Sequence, residues 1–273
     1  MPMIETRDGT RLYVNDWGQG QPVVLIHGWP LDADSWEYQS VKLAEAGFRV
    51  VAYDRRGFGR SDQPFAGYDY DTLSDDLADV IAALDLKDAV IAGFSMGGGE
   101  VSRYMSRHAG QNVAKAMLIS SVAPGMEKSD DNPDGVDPSV FAGMKAGLRD
   151  DRQGFLQDFF KDFTGEGTDE GGVSDAARHW MWGMAMMGSP KATIDCVTAF
   201  GTTDFRADMA HFKVPTLVVH GDGDKIVPIN TAGARAADMI ANVTYKVYAG
   251  APHALTATHK DQLVDDMLAF LKP

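Results

Sequence analysis

The sequence predicts an α/β fold, a mostly parallel sheet with helices on both faces. Three observations predict it. Apolar strand-like runs alternate with stretches whose apolar residues recur every three or four positions, which is the pattern of repeated βα units. One apolar run leads through a glycine-flanked serine directly into a helical pattern. The alternation lapses once, over a long middle segment that reads as helical throughout.

In chain order, residues 11–17 form an early strand and 22–27 the next, each followed by a glycine. Helical spacing over 35–45 precedes a strand at 48–53, and a helix at 72–84 precedes a strand at 89–94. A helix at 96–107 and a strand at 114–120 follow. After the lapse come a strand at 215–220, a helix at 231–240, a strand at 244–248 and a closing helix at 260–271. From 124 to about 212 no buried strand is legible. Helical stretches there are separated by acidic segments bearing glycine and proline, such as 127–138 and 165–172. This divides the chain into a core of residues 1–122 and 213–273 and a helical cap of residues 123–212. Inserted after a strand, such a cap sits over the carboxyl edge of the sheet, where open α/β folds bind ligands.

Composition excludes several classes. A chain of 273 residues with 44% hydrophobic content buries a sizeable core, which disordered chains do not. A formal charge of −14 opposes nucleic-acid phosphates and anionic lipid surfaces, so a small-molecule partner is expected, with no nucleic acid and no membrane. The single cysteine, Cys196, forms no intrachain disulfide. Met1-Pro2-Met3-Ile4-Glu5 lacks a basic segment followed by an apolar one, and the longest apolar runs, such as 180–187, fall short of the ~20 residues of a spanning helix. A cytoplasmic protein is expected.

The chemistry centres on Gly93-Phe94-Ser95-Met96-Gly97. At the apex of a strand-turn-helix a serine is held in a strained conformation with its hydroxyl projecting outward, which makes Ser95 a candidate nucleophile. The same glycines could cradle a phosphate, but G-x-G-x-x-G spacing is absent and no lysine follows Gly97 to Gly99. A serine needs a base to take its proton and an acid to orient that base. Of seven histidines, His253 stands in Gly250-Ala251-Pro252-His253, just beyond the last strand and on the same sheet edge as Ser95. His27 and His220 also end strands, but each precedes a glycine and reads as a structural hydrogen-bonding residue. His108, His179, His211 and His259 fall on helices or in the cap. The acid is Asp224 of His220-Gly221-Asp222-Gly223-Asp224, with Asp222 its close rival. Backbone donors for an oxyanion come from His27-Gly28-Trp29-Pro30, through the N–H of Trp29, and from Met96. Pro30 biases the residue before it toward an extended conformation and so helps aim the Trp29 carbonyl.

These motifs, with Asp54-Arg55-Arg56-Gly57-Phe58-Gly59-Arg60-Ser61-Asp62 and Gly97-Gly98-Gly99, resemble the α/β-hydrolases, and among them the bacterial aryl esterases and cofactor-free haloperoxidases, or perhydrolases. The resemblance runs over nearly the whole chain. It implies an eight-stranded sheet, a triad of Ser95, His253 and Asp224, an oxyanion hole from Trp29 and Met96, no metal or organic cofactor, and a homotrimer or a multiple of one. It also implies that proline after the oxyanion-loop residue favours perhydrolysis, by placing the preceding carbonyl to hydrogen-bond hydrogen peroxide. Halogenation then follows from peracid oxidising halide in solution.

Other residues carry less. The charged stretch from Asp54 to Asp62 reads as a salt-bridged loop rather than a phosphate or metal site. The tryptophans and methionines of 179–188 line an acyl pocket or form the cap's own core, with nothing in the sequence to choose between them. Pro30, Val122, Phe163, Phe200, Ile226 and Val227 are expected to bind substrate, the last five as an apolar wall. Cys196, beside Ile194 and Val197, reads as buried and inert. The function expected is a serine carboxylesterase acting on small esters. The alternative is a perhydrolase that uses the same residues to make peracids from an ester or carboxylic acid and hydrogen peroxide.

Overall fold

The structure, a computed structural model, describes residues 3–272. Its strands are β1 (Met3–Glu5), β2 (Arg11–Gly18), β3 (Pro22–Ile26), β4 (Arg49–Tyr53), β5 (Ala89–Phe94), β6 (Val113–Ile119), β7 (Thr216–Gly221) and β8 (Val243–Tyr248). They form one eight-stranded sheet in the order β1-β2-β4-β3-β5-β6-β7-β8. The pairs β1–β2 and β2–β4 are antiparallel and every other pair is parallel. Central strands are buried throughout, all six residues of β5 and all six of β7, as strands covered on both faces are.

The helices are α1 (Glu37–Glu45), α2 (Tyr70–Ala83), α3 (Met96–Arg107), α4 (Pro138–Asp150), α5 (Arg152–Phe163), α6 (Asp175–Met187), α7 (Pro190–Thr202), α8 (Arg206–Met209), α9 (Gly233–Met239), α10 (Leu255–Thr258) and α11 (Lys260–Leu271). On the sheet, α1 packs with α11, while α2 packs with α3 and α3 with α8. Side-chain caps start several of these helices: Asp69 accepts from the Thr72 N–H ahead of α2, Ser174 from Ala177 ahead of α6, and Ser189 from Ala192 ahead of α7.

Strand β1 is absent from the sequence reading. It has only three residues, and Ile4 alone is buried, so no alternation is long enough to read. The stretch at 35–45 splits into a 3-10 turn (Ala33–Trp36), capped by Asp32, and then α1. Between β6 and β7 the described residues hold five helices and no strand, only the isolated bridges Glu127–Val136 and Ser129–Asn132. Within that stretch α4 packs on α7 and α5, and α5 on α6.

Candidate active site

Parallel strands bring four distant segments to one edge. Ser95 follows β5, the loop from His27 to Trp29 follows β3, Asp224 follows β7 and His253 follows β8. Strand β3 lies between β4 and β5, so the first crossovers run in opposite directions and leave a crevice there.

Ser95 adopts φ 54° and ψ −118°, a conformation uncommon for a residue with a side chain. Its neighbours hold it there: its N–H donates to the Ile119 carbonyl at 2.9 Å, and its carbonyl accepts from Gly98 at 2.9 Å and Val122 at 3.2 Å. Glycine at 97 is a steric requirement, because a Cβ there would lie 3.0 Å from the His27 carbonyl oxygen and closer still to that of Ile26. The Ser95 hydroxyl donates to His253 Nε2 at 2.9 Å, and His253 Nδ1–H donates to Asp224 Oδ2 at 2.6 Å. All three residues are buried. The His253 ring is held between Phe94 and Phe163, with ring centroids 5.2 and 5.0 Å away.

Asp224 is built to stay ionised. Burial pushes its pKa up, but His253 and His220 more than offset this and hold the carboxyl below the ordinary carboxylate range. Its Oδ1 accepts the N–H groups of Ile226 at 2.9 Å and Val227 at 2.8 Å. A charged carboxylate fixes the proton of His253 on Nδ1 and leaves Nε2 free to accept from serine. The rival, Asp222, is exposed and accepts from the Gly250 N–H instead.

The backbone N–H groups of Trp29 and Met96 have no acceptor among the described residues, and Met96 opens α3, where the helix dipole favours negative charge. The Trp29–Pro30 peptide is cis. Beneath the oxyanion loop lies a closed polar network. The Arg55 N–H donates to His27 Nε2 at 2.9 Å, His27 Nδ1 donates to the Gly28 carbonyl at 2.9 Å, and Arg55 Nη2 donates to the His27 carbonyl at 2.8 Å. Arg55 also pairs with Glu100 at 2.9 Å, and Glu100 accepts from the Tyr53 hydroxyl. Burial and the Arg55 charge hold the His27 pKa well below its ordinary value, so that ring is a neutral strut. The rest of the Asp54–Asp62 loop is ion-paired in the same manner: Arg60 bonds Asp54 at 2.8 Å and Arg56 bonds Asp76 at 2.6 Å.

A cavity of about 390 Å³ opens on Ser95 and His253. Trp29, Val122, Phe200, Ile226 and Val227 line it, together with Met126, Val136, Phe141, Met144 and Phe159, which the sequence did not single out. Two expected substrate-binding residues are not on this wall. Phe163, the last residue of α5, turns its ring onto the His253 imidazole, and Pro30 is buried without lining the cavity. The methionines and tryptophans of α6 are absent from the wall as well. Met181 and Met184 are buried, and Trp182 stacks with His179 at 5.7 Å and donates its indole N–H to the Gln153 carbonyl of α5 at 3.0 Å. Cys196 is fully buried, and burial pushes its thiol up to about 12.

Comparison with known proteins gives a consistent result. A family model described as the alpha/beta hydrolase fold matches residues 21–260. The chain is 46% identical over 276 residues to the non-heme chloroperoxidase of Streptomyces lividans, covering 100% of both. It is 39% identical over 275 residues to the bifunctional esterase/perhydrolase DCH of Acinetobacter calcoaceticus, again covering 100% of both. Among solved structures, bromoperoxidase from Bacillus anthracis superposes with a TM-score of 0.95 at 44% identity, covering 100% of this chain and 99% of that one.

Proposed function

Because the chain belongs to the alpha/beta hydrolase family, in the branch of the non-haem haloperoxidases, we propose that it is a serine carboxylesterase of the aryl esterase type. The observation that carries this reading is the unbroken chain from the Ser95 hydroxyl through His253 to Asp224, opening on an apolar cavity. Ser95 Oγ attacks the ester carbonyl carbon while His253 Nε2 takes its proton. The carbonyl oxygen becomes an anion and is met by the N–H groups of Trp29 and Met96. Collapse expels the alcohol, which takes the proton from His253 and leaves an acyl group on Ser95. Water, deprotonated by His253, attacks that acyl group and releases the acid and the free serine. Residues 123–212 act as the cap that shelters these steps, and aromatic walls such as Phe141, Phe159 and Phe200 favour an apolar acyl or aryl group.

Perhydrolysis is the second reading, favoured by the activities for which the Acinetobacter relative and the chloroperoxidase relatives are named. Hydrogen peroxide replaces water at the acyl-enzyme, the same base removes its proton, and the product is a peracid. A panel of p-nitrophenyl esters from acetate to octanoate, assayed with and without peroxide and with peracid trapped, tests both. Ester turnover that Ser95→Ala lowers by at least about three powers of ten supports the acyl-enzyme. Turnover retained in that variant removes it. Pro30→Leu separates the two activities: the ratio of peracid to acid falls if proline sets the carbonyl that receives peroxide, and an unchanged ratio rejects that account.

A further inference from the structure

A second imidazole reaches the acid. His220, at the end of β7, is completely buried, and its Nε2 lies 3.3 Å from Asp224 Oδ2, the oxygen that also receives His253. The same Nε2 lies 2.9 Å from the Val227 carbonyl oxygen. Both neighbours are acceptors, so the ring proton sits on Nε2; it is donated to the Val227 carbonyl, and Asp224 Oδ2 lies close enough to feel the same N–H dipole. Nδ1 has no hydrogen-bond partner among the described residues. Gly233 closes that side of the ring, where any Cβ would run into Nδ1. A buried ring with only one engaged nitrogen is oriented wholly by what that nitrogen does.

The loop from Asp224 to Val227 is thereby pinned at both ends. Asp224 Oδ1 accepts the Ile226 and Val227 N–H groups, while the Val227 carbonyl is taken by His220. The side chains of Ile226 and Val227 form part of the cavity wall. We propose that His220 is a positioning residue for the reaction: its Nε2–H, bonded to the Val227 carbonyl and 3.3 Å from Asp224 Oδ2, holds the Asp224 carboxylate and the 224–227 loop as one unit, so that Oδ2 stays aimed at His253. The proposal rests on the hydrolase reading above. It acts through Asp224, and His220 touches neither Ser95 nor the cavity.

Removing this donor leaves the Asp224 charge less balanced, so the His253 imidazolium becomes easier to form. The His253 ring also meets the Ser95 hydroxyl and the uncharged rings of Phe94 and Phe163, and the charged groups on the cavity it opens to are Asp162 and Lys225, which stay the same in parent and variants. The acid limb of the kcat/KM pH profile therefore moves to higher pH.

The experiment compares His220→Gln, which keeps an N–H donor near the Nε2 position, with His220→Met, which has similar bulk and no donor. The methionine variant is expected to lose about ten- to a hundredfold in kcat with KM little changed, and its acid limb moves up by roughly half a unit. The glutamine variant is expected to recover most of kcat and the parental limb. Glutamine and methionine variants alike in both kcat and limb would overturn the proposal. The parent protein supplies a reading that needs no variant: ¹⁵N shifts placing the His220 proton on Nε2 support it, and a proton on Nδ1 refutes it. Labelling of Ser95 by a fluorophosphonate separates the two levels. Without that label in the parent the hydrolase reading itself falls, whereas a labelled parent with indifferent His220 variants sinks only the role of His220.

Discussion

His253 Nε2 stands 2.9 Å from Ser95 Oγ although 158 residues of chain separate the two. Nothing local brings them together. The contact exists because β5 and β8 run parallel in one sheet and end at the same edge.

Asp224→Asn keeps an acceptor for the Ile226 and Val227 N–H groups but turns an amide toward His253. The imidazole then takes the wrong tautomer, with its proton on Nε2 facing serine. A fall in kcat of about 10⁴ is expected, as in other triads. Steady-state kinetics on p-nitrophenyl acetate would show it, and a loss below about tenfold would mean that His253 is oriented by something else.

Stability depends on pH at Asp32, the cap of the turn before α1. Burial first, then Asp54 and Asp34, raise its carboxyl to about 7. A carboxyl whose pKa is raised on folding stabilises the protonated native state. That stability is fully present below the unfolded value near 4 and is lost as pH rises through about 7. Asp32→Asn retains the cap and removes the charge, so it gains on the order of 2 kcal/mol over the parent at pH 9 and little at pH 4. Thermal melts at the two pH values measure this, and equal gains would refute it.

Gly97→Ala drives a methyl group into the Ile26 and His27 carbonyls, so helix α3 must shift away from β3. A cost of about 1–3 kcal/mol is expected from such overpacking. The shift also displaces the Met96 N–H, so kcat falls more than the change in melting temperature suggests. Urea unfolding alongside kinetics separates the two effects.

Phe159 lines the cavity and meets Trp29 edge-on at 5.2 Å. Truncation to alanine lengthens the space available to the acyl group. The ratio of kcat/KM for octanoate over acetate is expected to rise about tenfold, in keeping with the worth of added methylenes in an apolar pocket. A ratio that stays flat would place the acyl chain elsewhere.

The sheet and the convergence of Ser95, His253 and Asp224 were legible because each rests on short-range patterns: apolar runs, glycine-bounded turns, and loops that must follow strands. His27 and the Asp54–Asp62 loop read as structural for the same reason, and the network with Arg55 and Glu100 gives them that character. The cavity wall was only half legible. Phe200 and Val122 sit near junctions with the core, but Phe141, Met144 and Phe159 reach the cavity through the way α4 and α5 pack, which spacing along the chain does not encode. Phe163 shows the limit most clearly, since one helical residue from Asp162, which lines the cavity, its ring faces His253 instead.

Strands β6 and β7 are hydrogen-bonded neighbours, so the excursion that carries α4 to α8 departs from and returns to adjoining rungs of the same ladder. Its length is invisible to the sheet register. Residues in that excursion can therefore be exchanged without disturbing the strand pairing, and Phe163, against the His253 ring, marks a place where such an exchange would be felt at the sheet edge.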